Sequence, residues 1–186
     1  MRIIAGDWRG RPLAAVGKGD AGAHLRPTID RVRESLFSML AGGRFGDPIT
    51  DARVLDLFAG TGALGLEALS RGAAEAVFVD DGRAAQNLIR QNIATFDARD
   101  RADLVGRNAT RLGPCPDAPF SLVFCDPPYG KGLGEKALAA ALSGGWIAPG
   151  ALVVWEESAE VSPPEGLAHR DARRYGDTVI HILEAE

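Results

Sequence analysis

Asp126, Pro127, Pro128 and Tyr129 stand together directly after the apolar run Ser121-Leu-Val-Phe-Cys125. Two consecutive prolines fix φ and remove backbone donors. The turn they make is stiff, and its polar capacity is all acceptor: the Asp126 carboxylate and the neighbouring carbonyls. An exocyclic amino group of a nucleic-acid base needs such acceptors before it can attack an electrophile. Its lone pair is delocalised into the ring, and hydrogen bonds accepted from its N–H groups favour an sp³-like nitrogen and stabilise the positive charge developing there. Tyr129 adds a face on which an extruded base can stack. A ring used only for stacking would tolerate Tyr129→Phe. The plainer reading, a rigid turn carrying a tyrosine, asks for no ligand at all.

A second constellation lies upstream. Asp56-Leu-Phe-Ala-Gly60-Thr-Gly62-Ala-Leu-Gly65 follows a predicted strand and opens a predicted helix, with Asp80 at the end of the next strand. The glycines say only that backbone must come close to a ligand. Their spacing is also that of a dinucleotide fingerprint, so NAD and S-adenosylmethionine (SAM) both compete for the loop. Asp56 favours SAM. A carboxylate near a pyrophosphate in a poorly screened cleft is repulsive, whereas the ammonium and sulfonium of a methionine moiety attract it. Asp80 suits ribose hydroxyls, which both cofactors have. No Lys-Ser or Lys-Thr follows the glycines, which excludes a P-loop. The cofactor contacts expected here are Asp56, Phe58, Gly60, Gly62 and Asp80; the alternative is a tight strand-to-helix turn without a ligand.

These two groups meet only if the chain forms an open α/β sheet. Short β-branched runs (Arg53–Phe58, Ala76–Asp80, Asp103–Arg107, Ser121–Cys125, Ala151–Trp155) alternate with helical stretches (Ala63–Arg71, Arg83–Thr95, Leu133–Leu142). That alternation predicts a parallel sheet covered by helices. In such sheets ligands bind beyond the carboxyl ends of the strands, at the point where the strand order reverses. After Pro163-Pro164, Arg170–Tyr175 and Asp177–Glu184 read as an antiparallel hairpin turned at Gly176-Asp177. Ahead of the sheet, residues 1–13 suggest a small β-ribbon and Gly17–Ala23 a mobile loop. Thr28 then caps a helix with apolar residues at Ile29, Val32, Leu36 and Met39 or Leu40.

A chain of 186 residues, 46% of them hydrophobic, is long enough for one ordinary domain and not suited to disorder. We read residues 1–186 as a single domain, with 1–24 a basic extension of it. No signal-peptide or membrane-spanning run is visible, so a soluble, cytoplasmic chain without membrane contact is expected. Cys115 and Cys125 have no metal-like spacing; reduced thiols and no metal are the expectation. Residues 1–35 hold seven basic against four acidic side chains, a net of +3 on a chain of −4, which leaves −7 for the remainder. A basic segment on an acidic body suits phosphates, and Arg9, Arg11, Arg26 and Arg33 are expected on them, with Lys131 reaching a phosphate from the loop Gly130–Gly134. A solvated arginine-rich surface is the bland alternative. Trp8 either stacks on RNA or packs on the body.

Asp126-Pro-Pro-Tyr129 resembles the signature of amino-methyltransferases that act on adenine N6 of DNA or guanine N2 of RNA. More narrowly, Arg2-Ile-Ile-Ala-Gly-x-Trp8-Arg-Gly-Arg11, Leu25-Arg-Pro-Thr28-x-Asp30-Arg-Val-Arg-Glu34, the stretch Asp56–Ser70 and Tyr175-Gly-Asp177 resemble the RsmD family, nearly end to end. The resemblance implies a class I methyltransferase fold, an α/β Rossmann-like sheet of strand order 3-2-1-4-5-7-6 with strand 7 antiparallel. It further implies SAM as cofactor, S-adenosylhomocysteine as product, and N2 of a guanine in 16S rRNA as acceptor, within the small ribosomal subunit or an assembly intermediate. By position Asn108 is either the adenine-ring contact or a turn residue. Two departures stand out: Asp80 is one methylene shorter than the glutamate often found there, and Gly82 replaces an acid. Two other classes compete, a DNA adenine-N6 or cytosine-N4 methyltransferase and a non-catalytic SAM or nucleotide-binding module. The first lacks a separate target-reading domain in this chain, and intact Asp126 and Tyr129 argue against the second.

Overall fold

The structure is a computed structural model and describes residues 1–15 and 30–186. The expected loop Gly17–Ala23, the Thr28 cap and Arg26 lie outside the described residues. Seven strands, β1 (Arg53–Leu57), β2 (Glu75–Val79), β3 (Ala102–Val105), β4 (Phe120–Cys125), β5 (Ile147–Glu157), β6 (Leu167–Tyr175) and β7 (Thr178–Ala185), form one sheet. Its order is β3-β2-β1-β4-β5-β7-β6. Strands β1 to β5 pair in parallel, while β7 runs antiparallel to both β5 and β6. This is the expected class I order. The strand order reverses between β1 and β4, which places a crevice over their carboxyl ends.

Helices α1 (Asp30–Ala41), α2 (Ala63–Ser70) and α3 (Arg83–Thr95) cover one face, and α4 (Leu133–Ser143) with a short 3₁₀ turn covers the other. Central strands buried on both sides carry almost continuous apolar sequence: Val54, Leu55 and Leu57 of β1 are fully enclosed. On α3 the inward residues Ala85, Ile89, Asn92 and Ile93 recur at three- and four-residue spacing, as an amphipathic helix requires. β5 runs longer than its apolar centre Ala151–Trp155 suggested, because Phe120 pairs with Ile147 before a register shift and because Glu156 and Glu157 continue the ladder with β7.

The first fifteen residues are packed into this body. A single bridge joins Arg2 to Pro12, and Ile3, Trp8 and Leu13 are buried. Buried polar groups dock the segment: Glu67 accepts from the amides of Ile4 (2.8 Å) and Ala5 (3.0 Å), Ser70 from Trp8, and Asn92 from Ala14. Trp8 stacks on Phe96 at 4.9 Å with Arg101 over its ring, so its role is packing and not RNA stacking.

The same packing corrects the expectation for Arg33. Its guanidinium is fully buried, donates to Asp30 and to the carbonyl of Arg2, and lies 3.8 Å from Glu67. It ties α1 and the N-terminal segment to α2 and cannot meet a phosphate. Burial lowers its pKa, with Glu67 and Asp30 opposing. Arg11, unlike Arg33, is exposed. It caps α3 through the Thr95 carbonyl and stacks on Phe96, at the end of α3 remote from the carboxyl ends of the strands. Arg9, exposed beside the docked Trp8, shares that end of the molecule.

Candidate active site

The two sequence constellations converge at the β1–β4 reversal. Leu57, last residue of β1, is in register with Cys125 of β4 on one side and Val79 of β2 on the other. Beyond these ends the loops are stitched together by backbone. The amide of Asp126 donates to the Leu57 carbonyl (3.3 Å), and that of Ala59 to the Val79 carbonyl (3.0 Å). Asp126, Phe58 and Asp80 therefore top three neighbouring strands.

The glycine loop turns sharply. Phe58 holds φ 58° and Gly62 φ 78°, both left-handed. For Gly62 this costs nothing; for a bulky aromatic it is strained by roughly 1–3 kcal/mol and marks a conformation the fold imposes at a site. Gly65 answers a different need: a Cβ there would lie 2.4 Å from the Phe78 ring, so α2 sits this close to the sheet only with glycine. Asp56 does not face the crevice as its proposed ammonium contact required. It is enclosed beneath α2 and accepts from the Gly65 amide at 2.9 Å. Burial raises its pKa to about 8, with nearby Asp80 adding to the rise and the Gly65 bond opposing it.

The charge argument against a pyrophosphate thus weakens, and a geometric one replaces it. A dinucleotide's phosphates would use free amides at this helix start, whereas Gly65 gives its amide to Asp56 and the loop carries no basic residue. Asp80 remains suited to a ribose. One oxygen accepts from Gly60 (2.9 Å) and the other from Gly82 (2.8 Å), leaving a lone pair on each for a hydroxyl. Burial raises its pKa. Gly82, where an acid was the family expectation, supplies this amide. Asn108 begins the 3₁₀ turn, accepting from Thr110 and donating to Asp81 at 2.9 Å. The turn-residue reading describes its geometry. These residues fit SAM better than NAD.

On the substrate side, Pro127 is buried and Pro128 exposed, with Asp126 and Tyr129 half-buried. The Tyr129 hydroxyl donates to Glu156 and lies 3.0 Å from Thr178, and the Gly130 amide donates to Glu157 (3.2 Å). Lys131 is exposed in the loop leading to α4. Cys125 beneath the turn is enclosed; burial, then Asp126 and Glu135, push its thiol well up, so it stays a neutral hydrophobe. Asp81, Glu156, Glu157 and Thr178 escaped the sequence reading. The signal that would have found the glutamates is the one that found Asp56 and Asp126: an acid at the carboxyl end of an apolar strand.

Residues 1–184 match the family described as Conserved hypothetical protein 95. Ribosomal RNA small subunit methyltransferase D of Escherichia coli strain K12 is 43% identical over 164 residues, which span 88% of this chain and 78% of that protein. YlbH of Bacillus subtilis strain 168, a candidate rRNA methyltransferase, is 35% identical over 190 residues, spanning 99% and 98%. Among solved structures, yhhF of Escherichia coli, described as a candidate methyltransferase, superposes with a TM-score of 0.82 at 39% identity, covering 100% of this chain and 98% of that one.

Proposed function

Since the chain belongs to the Conserved hypothetical protein 95 family, the RsmD family, we propose that it methylates the N2 amino group of a guanine in 16S rRNA, using SAM. The observation that carries this reading is the Asp126–Leu57 backbone bond, which sets the acceptor-rich turn against the glycine loop across the β1–β4 reversal. SAM, when bound, supplies an electrophilic methyl group. The chain's residues do the rest by holding. Asp80 offers a lone pair on each oxygen to the ribose hydroxyls, and Asn108 with Asp81 lines the adenine rim. Asp126 accepts hydrogen bonds from the guanine amino group, favouring the sp³-like nitrogen and stabilising the positive charge that grows on it. Pro127 and Pro128 keep that carboxylate aimed, and Tyr129 stacks the base. Positioning of this kind is worth several orders of magnitude without any covalent intermediate. Lys131 lies on the same rim and suits a phosphate; Arg26 remains a candidate for the same role.

The experiment is tritiated SAM offered to naked 16S rRNA, small ribosomal subunits, assembly intermediates and duplex DNA, with the modified base identified. N2-methylguanine in RNA is the expected product. Label in N6-methyladenine or N4-methylcytosine of DNA would overturn the substrate, and no transfer to any of them would overturn the enzyme.

A further inference from the structure

Glu156 belongs to neither motif, yet it is the most unusual residue near the turn. It follows three buried apolar residues of β5, Val153, Val154 and Trp155, and is itself only 7% exposed. A carboxylate taken out of water costs several kcal/mol unless hydrogen bonds replace the solvent. Its partner is the Tyr129 hydroxyl. A phenol has one proton, which here goes to Glu156, and the Thr178 hydroxyl lies 3.0 Å from the same tyrosine oxygen. Tyr129 is thus tied to β5 and β7 at its tip, while the prolines stiffen its backbone on one side and Gly130, bonded to Glu157, fixes the other.

The geometry has a specific consequence. A phenol O–H lies in the plane of its ring, because the oxygen lone pair is conjugated with it. The bond to Glu156, with the Thr178 hydroxyl beside it, therefore sets the rotation of the whole ring. We propose that Glu156, assisted by Thr178, is a positioning residue that fixes the plane of the Tyr129 ring before a base arrives. This rests on the reading that Tyr129 stacks the target base. The hydroxyl serves as a tether and the ring meets the substrate, so Tyr129→Phe is not silent: it loosens the ring and strands a buried carboxylate. The electrostatics agree, since burial and then the bond to Glu156 push the Tyr129 hydroxyl up, and burial raises Glu156 against the bonds from Tyr129 and Thr178.

The test is a double-mutant cycle read as single-turnover methyl transfer at saturating SAM and RNA. Glu156→Ala should slow transfer by about 10²-fold, the cost of an ångström-scale misplacement, with SAM affinity unaltered by calorimetry. Glu156→Gln, which keeps an acceptor oxygen, should restore most of the rate. In a Tyr129→Phe background Glu156→Ala should cost nothing further; an equal loss in both backgrounds would overturn the proposal. Should Glu156→Ala not fold, Thr178→Val takes its place in the same cycle. A second readout needs no substrate. The chain has two tyrosines, Tyr129 and Tyr175, so ring-labelled tyrosine gives two NMR signals that titrate separately. Glu156→Gln should lower the pH at which Tyr129 ionises and leave Tyr175 unmoved; identical titrations in both proteins would overturn the tether. Wild-type chain that methylates no RNA would instead overturn the function proposed above, and the titration would still decide the tether.

Discussion

The two halves of the crevice use buried carboxylates in opposite ways. On the β1–β2 side, Asp56 and Asp80 are spent on backbone amides of Gly65, Gly60 and Gly82. On the β4–β5 side, Glu156 holds a side chain, Tyr129, across two strands, while Glu157 holds the Gly130 amide. Backbone held by carboxylates makes a cradle whose shape survives small changes, since many main-chain bonds share the task. A ring oriented through its hydroxyl depends on a few atoms. The cofactor side should therefore fail gradually, in affinity, and the substrate side abruptly, in rate.

The largest effect should come from Asp126→Ala, with transfer falling by about 10²-fold or more when one preorganised partner is lost. Asp126→Asn should lie between, and SAM affinity should hold; a wild-type single-turnover rate would reduce the turn to a structural device. Next in size is a pH effect on the cofactor side. The folded pKa of Asp56, about 8, stands above its ordinary 3.8. Stability from neutral Asp56 is thus fully present below the lower value and is lost as pH rises towards the higher. The slope has a ceiling of about 1.4 kcal/mol per pH unit. Asp56→Asn, still an acceptor for Gly65, should lose less stability between these values in urea titrations of cofactor-free protein. Parallel curves would mean that Asp56 is not held neutral. Asp80→Ala should weaken SAM binding by about 1–3 kcal/mol through lost hydrogen bonds to a charged group, measured by calorimetry, with little change in rate at saturation. Smallest is Arg11→Ala. Losing an exposed cap of α3 should cost under about 1 kcal/mol, and the salt dependence of RNA binding should not shift. A shallower slope would restore Arg11 to the RNA surface.

What the sequence disclosed follows from the range of the forces involved. A helix-covered parallel sheet was accessible because apolar runs alternate with helices, and the family resemblance implied its strand order. The Asp126–Tyr129 turn was legible because prolines act locally: φ is fixed wherever the chain goes. Arg33 was misread because charge counts along a chain carry no direction. Arg33 shares a net-positive segment with Arg9, yet its side chain meets Glu67, thirty-four residues away and buried only once α2 has packed. Asp56 was singled out as a cofactor contact, but its orientation depends on which face of β1 the register assigns. Glu156 carried the signal of an acid ending an apolar strand, but its role was hidden because its partner lies twenty-seven residues upstream.

The position of β7 bears on the order in which this site can assemble. β7 follows β6 in the chain yet lies between β5 and β6, and among the described residues β6 pairs with β7 alone. The β6–β7 hairpin can close through its own tight turn, but until β7 has paired with β5, Thr178 has no place beside Tyr129. Pairings between distant segments close slowly, because loop entropy is lost before contacts compensate it. The β1–β2 and β5–β7 ladders both begin across 22 residues, whereas β4 meets β1 across 68. During refolding the glycine loop, built on β1, β2 and α2, should form first, and competence to hold a base should lag until β4 has joined β1 and the β5–β7 ladder has closed beside Tyr129.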